Sequence, residues 1–335
     1  MNKIISLSFI LCILCTGCAK NNSISVEKRA ALVLSPTLDL VSTRALIDDV
    51  TILGEIIRVQ VTKGDGTNPY NDLDAKYKLS KIGENWTLSD ILYLSSENAK
   101  IYAYSPCPDD PTLAETGSYN SLARTLDIPA SQDMAEQIDY LWSYQDKTVS
   151  GGSTNINSSS AAVSLKMNHA LTQIAFVFYK ENYSGTGAIN SIKIKDNSGS
   201  PALRISKAIA NDLSMSVYDG AVTGGEAAAE VAALNVGSTI TLTSNPGTDP
   251  TTLKDMVNGY LLVAPVTIAD KTQVQFTFNI DSRDYAVSLS GAGGISWIAG
   301  QQHIYVVRLS GTQISIQSVT VAPWVPNYDG DVVIN

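Results

Sequence analysis

Apolar and polar residues alternate through most of the chain, in short runs that are separated by turn residues. Alternation with a period of two is typical of a strand that buries one face. The predicted strands span residues 31–41, 56–61, 99–103, 161–165, 174–179, 189–194, 239–242, 260–263, 274–280, 285–289, 303–309 and 314–321. Many short strands with regular turn signals predict an all-β chain built from sandwiches.

Two stretches depart from simple alternation. Pro36 falls within the first predicted strand, and proline has no N–H to give to a sheet, so this strand is expected at an edge or a break. Residues 225–234 (GEAAAEVAAL) are rich in helix-forming residues and predict the only helical stretch, too short to be stable alone.

The length of the chain indicates more than one domain. About 290 residues follow Arg44, which exceeds a comfortable single sandwich. The Ser- and Gly-rich stretch 150–160 is the predicted junction, because it cannot build a core; a long hairpin loop inside one domain is the alternative. The predicted division is a signal peptide at 1–17, a leader segment with a strand at 18–44, and β-sandwich domains at 45–155 and 156–335.

The N-terminus has the pattern of a secretory signal. One cation, Lys3, precedes an apolar run at 4–14 that is too short to span a bilayer. The small residues Thr16 and Gly17 lead directly to Cys18, which resembles a bacterial lipobox. That resemblance implies cleavage before Cys18 and acyl chains on it, each buried CH₂ contributing ~0.8 kcal/mol to membrane binding. An ordinary signal peptide with chance cysteines is the alternative.

Charge and cysteine content narrow the class of protein. The net charge of -9 and a pI near 4.7 argue against a nucleic-acid-binding surface. After removal of the signal and lipidation of Cys18, Cys107 is the only thiol, so no disulfide can form within one mature chain. We expect Cys107 to be a small buried hydrophobe.

The sequence offers no recognisable catalytic or metal site. Its two histidines, His169 and His303, each lie in an apolar run, where a histidine is more often part of a core or an interface than a ligand. No nucleophile elbow, phosphate-binding loop or His-Glu-x-x-His pair occurs. The pair Asp329 and Asp331 supplies too few oxygen ligands for calcium. We therefore expect no enzyme activity, no metal and no cofactor. The sequence does not exclude a pair of carboxylates for glycoside hydrolysis, because the two members of such a pair can lie far apart in the chain.

Several segments in order resemble the fimbrillin superfamily, the subunits and anchors of type V pili on the outer membrane of Gram-negative bacteria. They are the lipobox at Cys18, 99–106 (AKIYAYSP), 139–142 (DYLW), 167–176 (MNHALTQIAF), 297–305 (WIAGQQHIY) and 319–324 (VTVAPW). The resemblance implies an all-β fold of two transthyretin-like Greek-key β-sandwich domains in tandem. It also implies a non-enzymatic protein that assembles with other fimbrial subunits by strand exchange after proteolysis.

The same resemblance assigns roles to both ends of the mature chain. An arginine-specific protease would cut after Arg44, so that the mature subunit begins at Ala45 and the lipidated leader is released. The candidate donor strand is the C-terminal tail, with Ile314, Ile316, Val319, Val321 and Trp324 as candidate groove fillers if a bulge is allowed near Ser318. The alternatives are that Arg44 is a solvated loop residue and that the tail is the ordinary last strand of its own sheet.

The predicted function is that of a structural subunit of a cell-surface fimbria that supports adhesion. Its predicted partners are other fimbrial subunits and, through the lipid on Cys18, the outer membrane. One alternative is an anchor or tip subunit that keeps its lipid. Another is a surface glycan-binding lipoprotein, in which one or more of four tryptophans would stack on sugar rings: Trp86, Trp142, Trp297 and Trp324.

Overall fold

Strands supply nearly all the regular structure of the computed structural model, which describes residues 28–38, 56–72, 76–82, 85–145, 155–207 and 213–324. Within these ranges the strands of the first half are β1 (Ala30–Ala31), β2 (Val33–Leu38), β3 (Ile56–Lys63), β4 (Lys76–Ile82), β5 (Asn85–Leu88), β6 (Tyr93–Leu94), β7 (Ala99–Ser105), β8 (Glu115–Thr116), β9 (Ala123–Thr125), β10 (Ser131–Asp133), β11 (Leu141–Gln145) and β12 (Ala162–His169).

The strands continue through the second half to Pro323. They are β13 (Thr172–Glu181), β14 (Ala188–Asp196), β15 (Arg204–Ile205), β16 (Ser214–Ser216), β17 (Val222–Thr223), β18 (Glu226–Ala227), β19 (Glu230–Leu234), β20 (Ser238–Thr239), β21 (Gly259–Val263), β22 (Val266–Ile268), β23 (Val274–Ile280), β24 (Arg283–Ser288), β25 (Ile295–Trp297), β26 (Gln301–Ser310) and β27 (Gln313–Pro323). Helical structure in the described ranges is limited to α1 (Pro250–Leu253) and single 3₁₀ turns at Tyr70–Asp72, Pro111–Leu113, Tyr119–Ser121, Met134–Glu136, Lys254–Met256 and Lys271–Gln273.

Three large sheets organise the described residues. The first sheet has seven strands in the order β2-β12-β11-β7-β3-β4-β5, the middle sheet has the order β21-β13-β26-β27, and the third has the order β10-β19-β14-β23-β24, with β20 also paired to β14. A smaller sheet has the order β17-β16-β9-β8, and three two-stranded ribbons pair β1 with β6, β15 with β18 and β22 with β25.

The two central strands of the middle sheet, β13 and β26, are buried on both faces. Along β13, Phe176 and Phe178 belong to the apolar cluster shared with the third sheet, whereas Ala175 and Val177 belong to the cluster shared with the first sheet. β26 divides its side chains in the same way and pairs with β13 in parallel. A strand buried on both faces reads as a continuous apolar run, which explains why residues 174–179 (IAFVFY) do not alternate.

The predicted all-β class is confirmed, but the predicted helix at 225–234 is wrong. This stretch forms β18 and β19, and β19 lies between β10 and β14 in the third sheet. Val231 and Ala233 are buried there in the cluster shared with the middle sheet. Burial between two partner strands outweighs an intrinsic helix preference of a few tenths of a kcal/mol per residue, because propensity is a weak term beside tertiary packing.

The division of the chain into domains at residue 155 stays a prediction. Strand β12 follows that position but pairs with β11 and β2 of the first sheet, and β13 is the first strand of the middle sheet. The change from one sheet to the next therefore falls between His169 and Thr172. The stretch between β11 and β12 joins antiparallel neighbours, as the hairpin alternative describes, and residues 146–154 within it lie outside the described residues.

Candidate functional site

The predicted lipidation and processing residues, Cys18, Arg44 and Ala45, lie outside the described residues and stay predictions. The flanking segment that the structure describes, residues 30–38, contains β1 and β2 and is called the leader strand here. The candidate donor residues fall on β27, called the tail strand, and on Trp324, which follows it. These two strands and their surroundings form the candidate assembly site.

The leader strand places two leucines in the core of the first sheet. Leu32 is 6% exposed and Leu34 is 2% exposed, and both belong to an apolar cluster with Leu165 and Met167 of β12. Val33, between them, is 53% exposed. The alternation predicted for this strand is confirmed over the residues whose burial the structure describes, and residues 39–41 of the predicted strand lie outside them.

The backbone of the leader strand is paired on two sides. β1 pairs antiparallel with β6, and the N–H of Leu32 continues this ribbon by donating to the carbonyl of Leu92 at 2.8 Å. β2 pairs in parallel with β12, from Val33 opposite Ala162 onward, and forms one edge of the seven-stranded sheet. Pro36 lies within β2, so the predicted edge position of this proline is confirmed for the described strands.

The tail strand is one of the two edge strands of the middle sheet as described. It pairs antiparallel with β26 along its full length, from Gln313 opposite Ser310 to Pro323 opposite Gln301. The register shifts where Val306 lies opposite Ser318 and Val307 lies opposite Ile316, so Gln317 is the extra residue of a bulge. A bulge thus lies next to Ser318, where the sequence allowed for one.

The candidate donor side chains differ on the two sides of this bulge. Ile314 and Ile316 are half-buried and pack against the cluster between the middle and third sheets. Val319 and Val321 are 49% and 51% exposed. Trp324 is buried in the cluster between the first and middle sheets. Among the described residues the tail strand is thus the last strand and pairs within its own subunit's sheet, with two valines that its own core does not bury.

A His–Asp–Trp cluster, formed by Asp139, His169 and Trp324, lies at the end of the tail strand. Asp139 Oδ2 is 2.7 Å from His169 Nδ1, and both side chains are about 5% exposed. The His169 ring stacks on the Trp324 ring with centroids 4.0 Å apart and an interplanar angle of 15°. The N–H of Trp324 donates to the carbonyl of Gly300 at 2.7 Å.

This cluster confirms that His169 is a core residue but corrects the expectation that it has no acidic partner beside it. His169 is a core residue, as predicted, but it has an acidic partner 30 residues away, which the sequence did not indicate. Neither His169 Nε2 nor Asp139 Oδ1 has a hydrogen-bond partner within the described residues. No hydroxyl or thiol nucleophile contacts His169 among the hydrogen bonds of those residues, so the pair lacks the third member that nucleophilic catalysis needs.

His303 occupies a different environment. It is 3% exposed on β26 opposite Val321, and neither ring nitrogen has a hydrogen-bond partner within the described residues. Burial without a compensating partner lowers the pKa of His303 to about 4, because the charged ring cannot be solvated. His303 is therefore neutral at physiological pH.

A second buried polar network lies near Cys107. Arg58 Nε donates to Glu115 Oε1 at 2.8 Å, and the Tyr104 hydroxyl donates to the same oxygen at 2.9 Å. Burial raises the pKa of Tyr104, and Glu115 raises it further. Cys107 is half-buried rather than fully buried as expected, and burial raises the pKa of its thiol. A thiol with a raised pKa is a poor nucleophile. The network therefore joins β8, through Glu115, to β3 and β7 of the first sheet without a reactive thiol beside it.

The remaining chemistry of the described residues is sparse. They contain no group of three or more His, Cys, Asp or Glu side chains placed to hold a metal ion. Trp297 and Trp324 are buried inside apolar clusters and Trp86 and Trp142 are half-buried, which removes two of the four tryptophans proposed to stack on sugars. No helix in the described ranges has both the length and the apolar character that crossing a bilayer requires.

Comparisons with known proteins identify relatives of this fold. A fimbrial protein from Bacteroides vulgatus superposes with a TM-score of 0.58 at 14% identity, over 88% of this chain and 99% of that one. Candidate cell adhesion proteins from Bacteroides uniformis and Bacteroides ovatus each superpose with a TM-score of 0.55, at 16% and 15% identity. They cover 88% and 90% of this chain and 98% and 99% of their own chains. No curated protein sequence matches the chain.

A match to a family model of the sequence shows the family. The family model described as fimbrillin-like matches residues 43–324, which is most of the chain and includes the tail strand and every strand of the first sheet except β2. This confirms the family resemblance seen in the segments from 99–106 to 319–324, whereas the lipobox at Cys18 lies before the matched residues and stays a prediction. The chain belongs to the fimbrillin-like family, and it is a structural fimbrial protein of the cell surface rather than an enzyme.

Proposed function

We propose that the chain is exported as a lipoprotein precursor and polymerises when a neighbouring subunit's tail replaces its leader strand. The single observation that supports this most is the burial of Leu32 and Leu34 in the core of the first sheet, upstream of the predicted cleavage after Arg44. A segment that served only as a membrane tether would not need to place side chains in the core of the first sheet.

Removal of the leader strand would open an apolar groove. Leu165 and Met167 are fully buried in the cluster that includes Leu34, and they would lose that cover. The N–H and C=O groups along β12 that face β2 would also lose their partners. An apolar groove beside an unpaired strand edge is a template for another strand, with backbone hydrogen bonds supplying affinity and alternate side chains supplying register.

The walls of this groove have supports that do not depend on the leader. The N–H of Ser95, next to β6, donates to the Tyr70 hydroxyl at 2.9 Å, and the N–H of Ser158 donates to the carbonyl of Ser95 at 2.7 Å. Strand β12 is paired to β11 on its other side. We therefore expect the groove to keep its shape after cleavage.

The tail strand is the proposed donor. Val319 and Val321 share one face, alternate as a groove filler must, and are half-exposed on their own subunit. Each large aliphatic side chain that a groove buries contributes ~1.5–3 kcal/mol before ordering costs. While the leader stays attached it excludes a donor, because a tethered strand has an effective concentration of order millimolar. Cleavage after Arg44 would remove that competitor.

The location of the precursor follows from Cys18. Acyl chains on its sulfur and amino group would hold the protein on the outer membrane until the leader is cut, and the released subunit would then join the fimbria. A fatty-acid label should be incorporated by the wild type and absent from Cys18→Ala. Equal labelling of the two would refute the lipid anchor without touching the family assignment.

The experiment that tests the processing step compares two arginines of the leader, Arg44 and Arg29. Mass spectrometry of surface protein should find an N-terminus at Ala45 in the wild type and in Arg29→Ala. Arg44→Ala should accumulate as a lipidated precursor that forms no ladder on unheated gels. If wild-type surface protein keeps residues 18–44 and forms no ladder, the shaft-subunit proposal fails and the anchor or tip role replaces it.

A further inference from the structure

The two halves of the tail strand are held by different contacts. Before the bulge, Ile314 and Ile316 pack on the cluster shared with the third sheet. After the bulge, Val319 and Val321 contribute little burial, so backbone pairing with β26 and the anchored Trp324 are what hold this half. The second half is therefore held by backbone pairing and by one buried side chain, Trp324, so its release withdraws that side chain alone from the cluster between the first and middle sheets.

Trp324 ties this second half to a different sheet. Its ring stacks on His169, the last residue of β12 in the first sheet, and its N–H bonds to Gly300. The N–H of Gly300 in turn donates to the carbonyl of Leu171, in the turn between β12 and β13. The end of the tail strand is thus fastened at the point where the chain crosses from the first sheet to the middle sheet.

Asp139 fixes the orientation of the ring on which Trp324 stacks. The contact at 2.7 Å sets the plane of His169, and Asp139 itself is held two residues before β11, which pairs with the end of β12. The side chain of Gln137 supports the same segment by bonding to both the N–H of Leu262 and the carbonyl of Tyr260 on β21. The stacking surface is therefore rigidly placed before the tail reaches it.

We propose that the His–Asp–Trp cluster is a latch that keeps the tail strand on its own subunit, and that Asp139 and His169 are positioning residues for strand donation. This rests on the proposed function. Trp324 cannot fill a neighbour's groove while it is stacked on His169, so donation requires the latch to open. The bulge at Gln317 is the hinge at which the released half bends away.

The latch is tested first on the uncleaved full chain, by amide hydrogen exchange. Trp324→Leu keeps an apolar side chain but removes the stack, and Asp139→Asn keeps the shape of the pair but removes its charge. Both should speed exchange in residues 319–322, by about tenfold for Trp324→Leu and less for Asp139→Asn, and leave residues 314–316 unchanged. The control is Glu115→Gln, which removes the carboxylate of the other buried ion pair but does not touch the tail strand or the stack.

The polymerisation rate after leader cleavage separates a latch from a merely structural contact. Asp139→Asn leaves every candidate groove filler intact, so it should polymerise several-fold faster than the wild type. Loss of structure would slow assembly instead. Unchanged exchange, equal acceleration in both halves of the tail strand, or slower assembly by Asp139→Asn would each overturn the latch. If wild-type protein fails to polymerise after cleavage, the proposed function fails while the exchange result still decides the latch.

Discussion

The leader strand and the tail strand are both edge strands, but they are held in different ways. The leader strand is short, contains Pro36 and buries Leu32 and Leu34 almost completely. The tail strand pairs over eleven residues and leaves Val319 and Val321 half-exposed. Both strands are paired along their backbones, but the leader strand adds leucines buried in the core, whereas the tail strand after its bulge adds only Trp324. One strand leaves an apolar groove when it is removed, and the other carries apolar side chains that its own fold does not use.

The largest effect should come from a buried leucine of the leader strand. Leu34→Ala is expected to lower the unfolding free energy of the uncleaved chain by about 2–5 kcal/mol, because it removes buried methyl groups and leaves a cavity. Urea titration followed by tryptophan fluorescence measures the change. The control is Val33→Ala, the exposed neighbour, which should change stability by less than about 0.5 kcal/mol. Equal effects of the two substitutions would mean that the leader is not a core strand.

Acid should destabilise the chain through His303 on β26, the strand that pairs with the tail strand, rather than through the leader strand. The pKa of His303 is about 4 in the folded chain, against an ordinary value of 6.5. Between these two pH values the ring is protonated in the unfolded chain but neutral in the folded chain. Its contribution to stability is complete above pH 6.5 and declines as the pH falls to 4, by up to about 3 kcal/mol.

The comparison of wild type with His303→Met isolates this contribution, since methionine fills irregular apolar space and does not titrate. Unfolding free energies at pH 7, 5.5 and 4 should fall more steeply for the wild type. Leu34→Ala serves as the reference, because it should keep the wild-type slope. Identical pH slopes for wild type and His303→Met would show that the buried ring is not the acid-sensitive group.

The smallest effect on stability is expected on the exposed face of the tail strand. Val319→Ser and Val321→Ser should each change the unfolding free energy by less than about 0.5 kcal/mol, because these side chains bury little on their own subunit. The same variants should shorten polymers when mixed with wild type, as seen by electron microscopy. A loss of more than 2 kcal/mol, or polymers of normal length, would place these valines in the subunit's own fold instead of the donor role.

The sequence predicted the strands best where a single face is buried. Residues 274–280 alternate strictly and form β23 with matching bounds and an alternating burial pattern. The prediction failed at 225–234 because alanines gave no period, and only the partner strands of β19 decided between helix and strand. Local propensity had no means of showing those partners, which lie far away in the sequence.

The candidate site was predictable only in part. Burial of alternate leucines in the leader strand followed from the pattern of residues, and that pattern also allowed for a bulge in the tail strand. The contact between Asp139 and His169, and the stacking of Trp324 on that ring, were not readable, because they join segments 30 and 155 residues apart through the packing of two sheets. The only signal was that each residue fell within a segment shared with the fimbrillin superfamily.

The parallel pairing of β2 with β12 has a consequence for the order in which the molecule forms. Val33 lies opposite Ala162, about 130 residues later in the chain. During synthesis and export the leader emerges first, yet its partner strand appears only after the rest of the first sheet. Closing so long a loop is slow, so we expect the leader strand to dock on a sheet that has already formed. A strand that is added last can also be withdrawn first, without reversing any earlier step of folding.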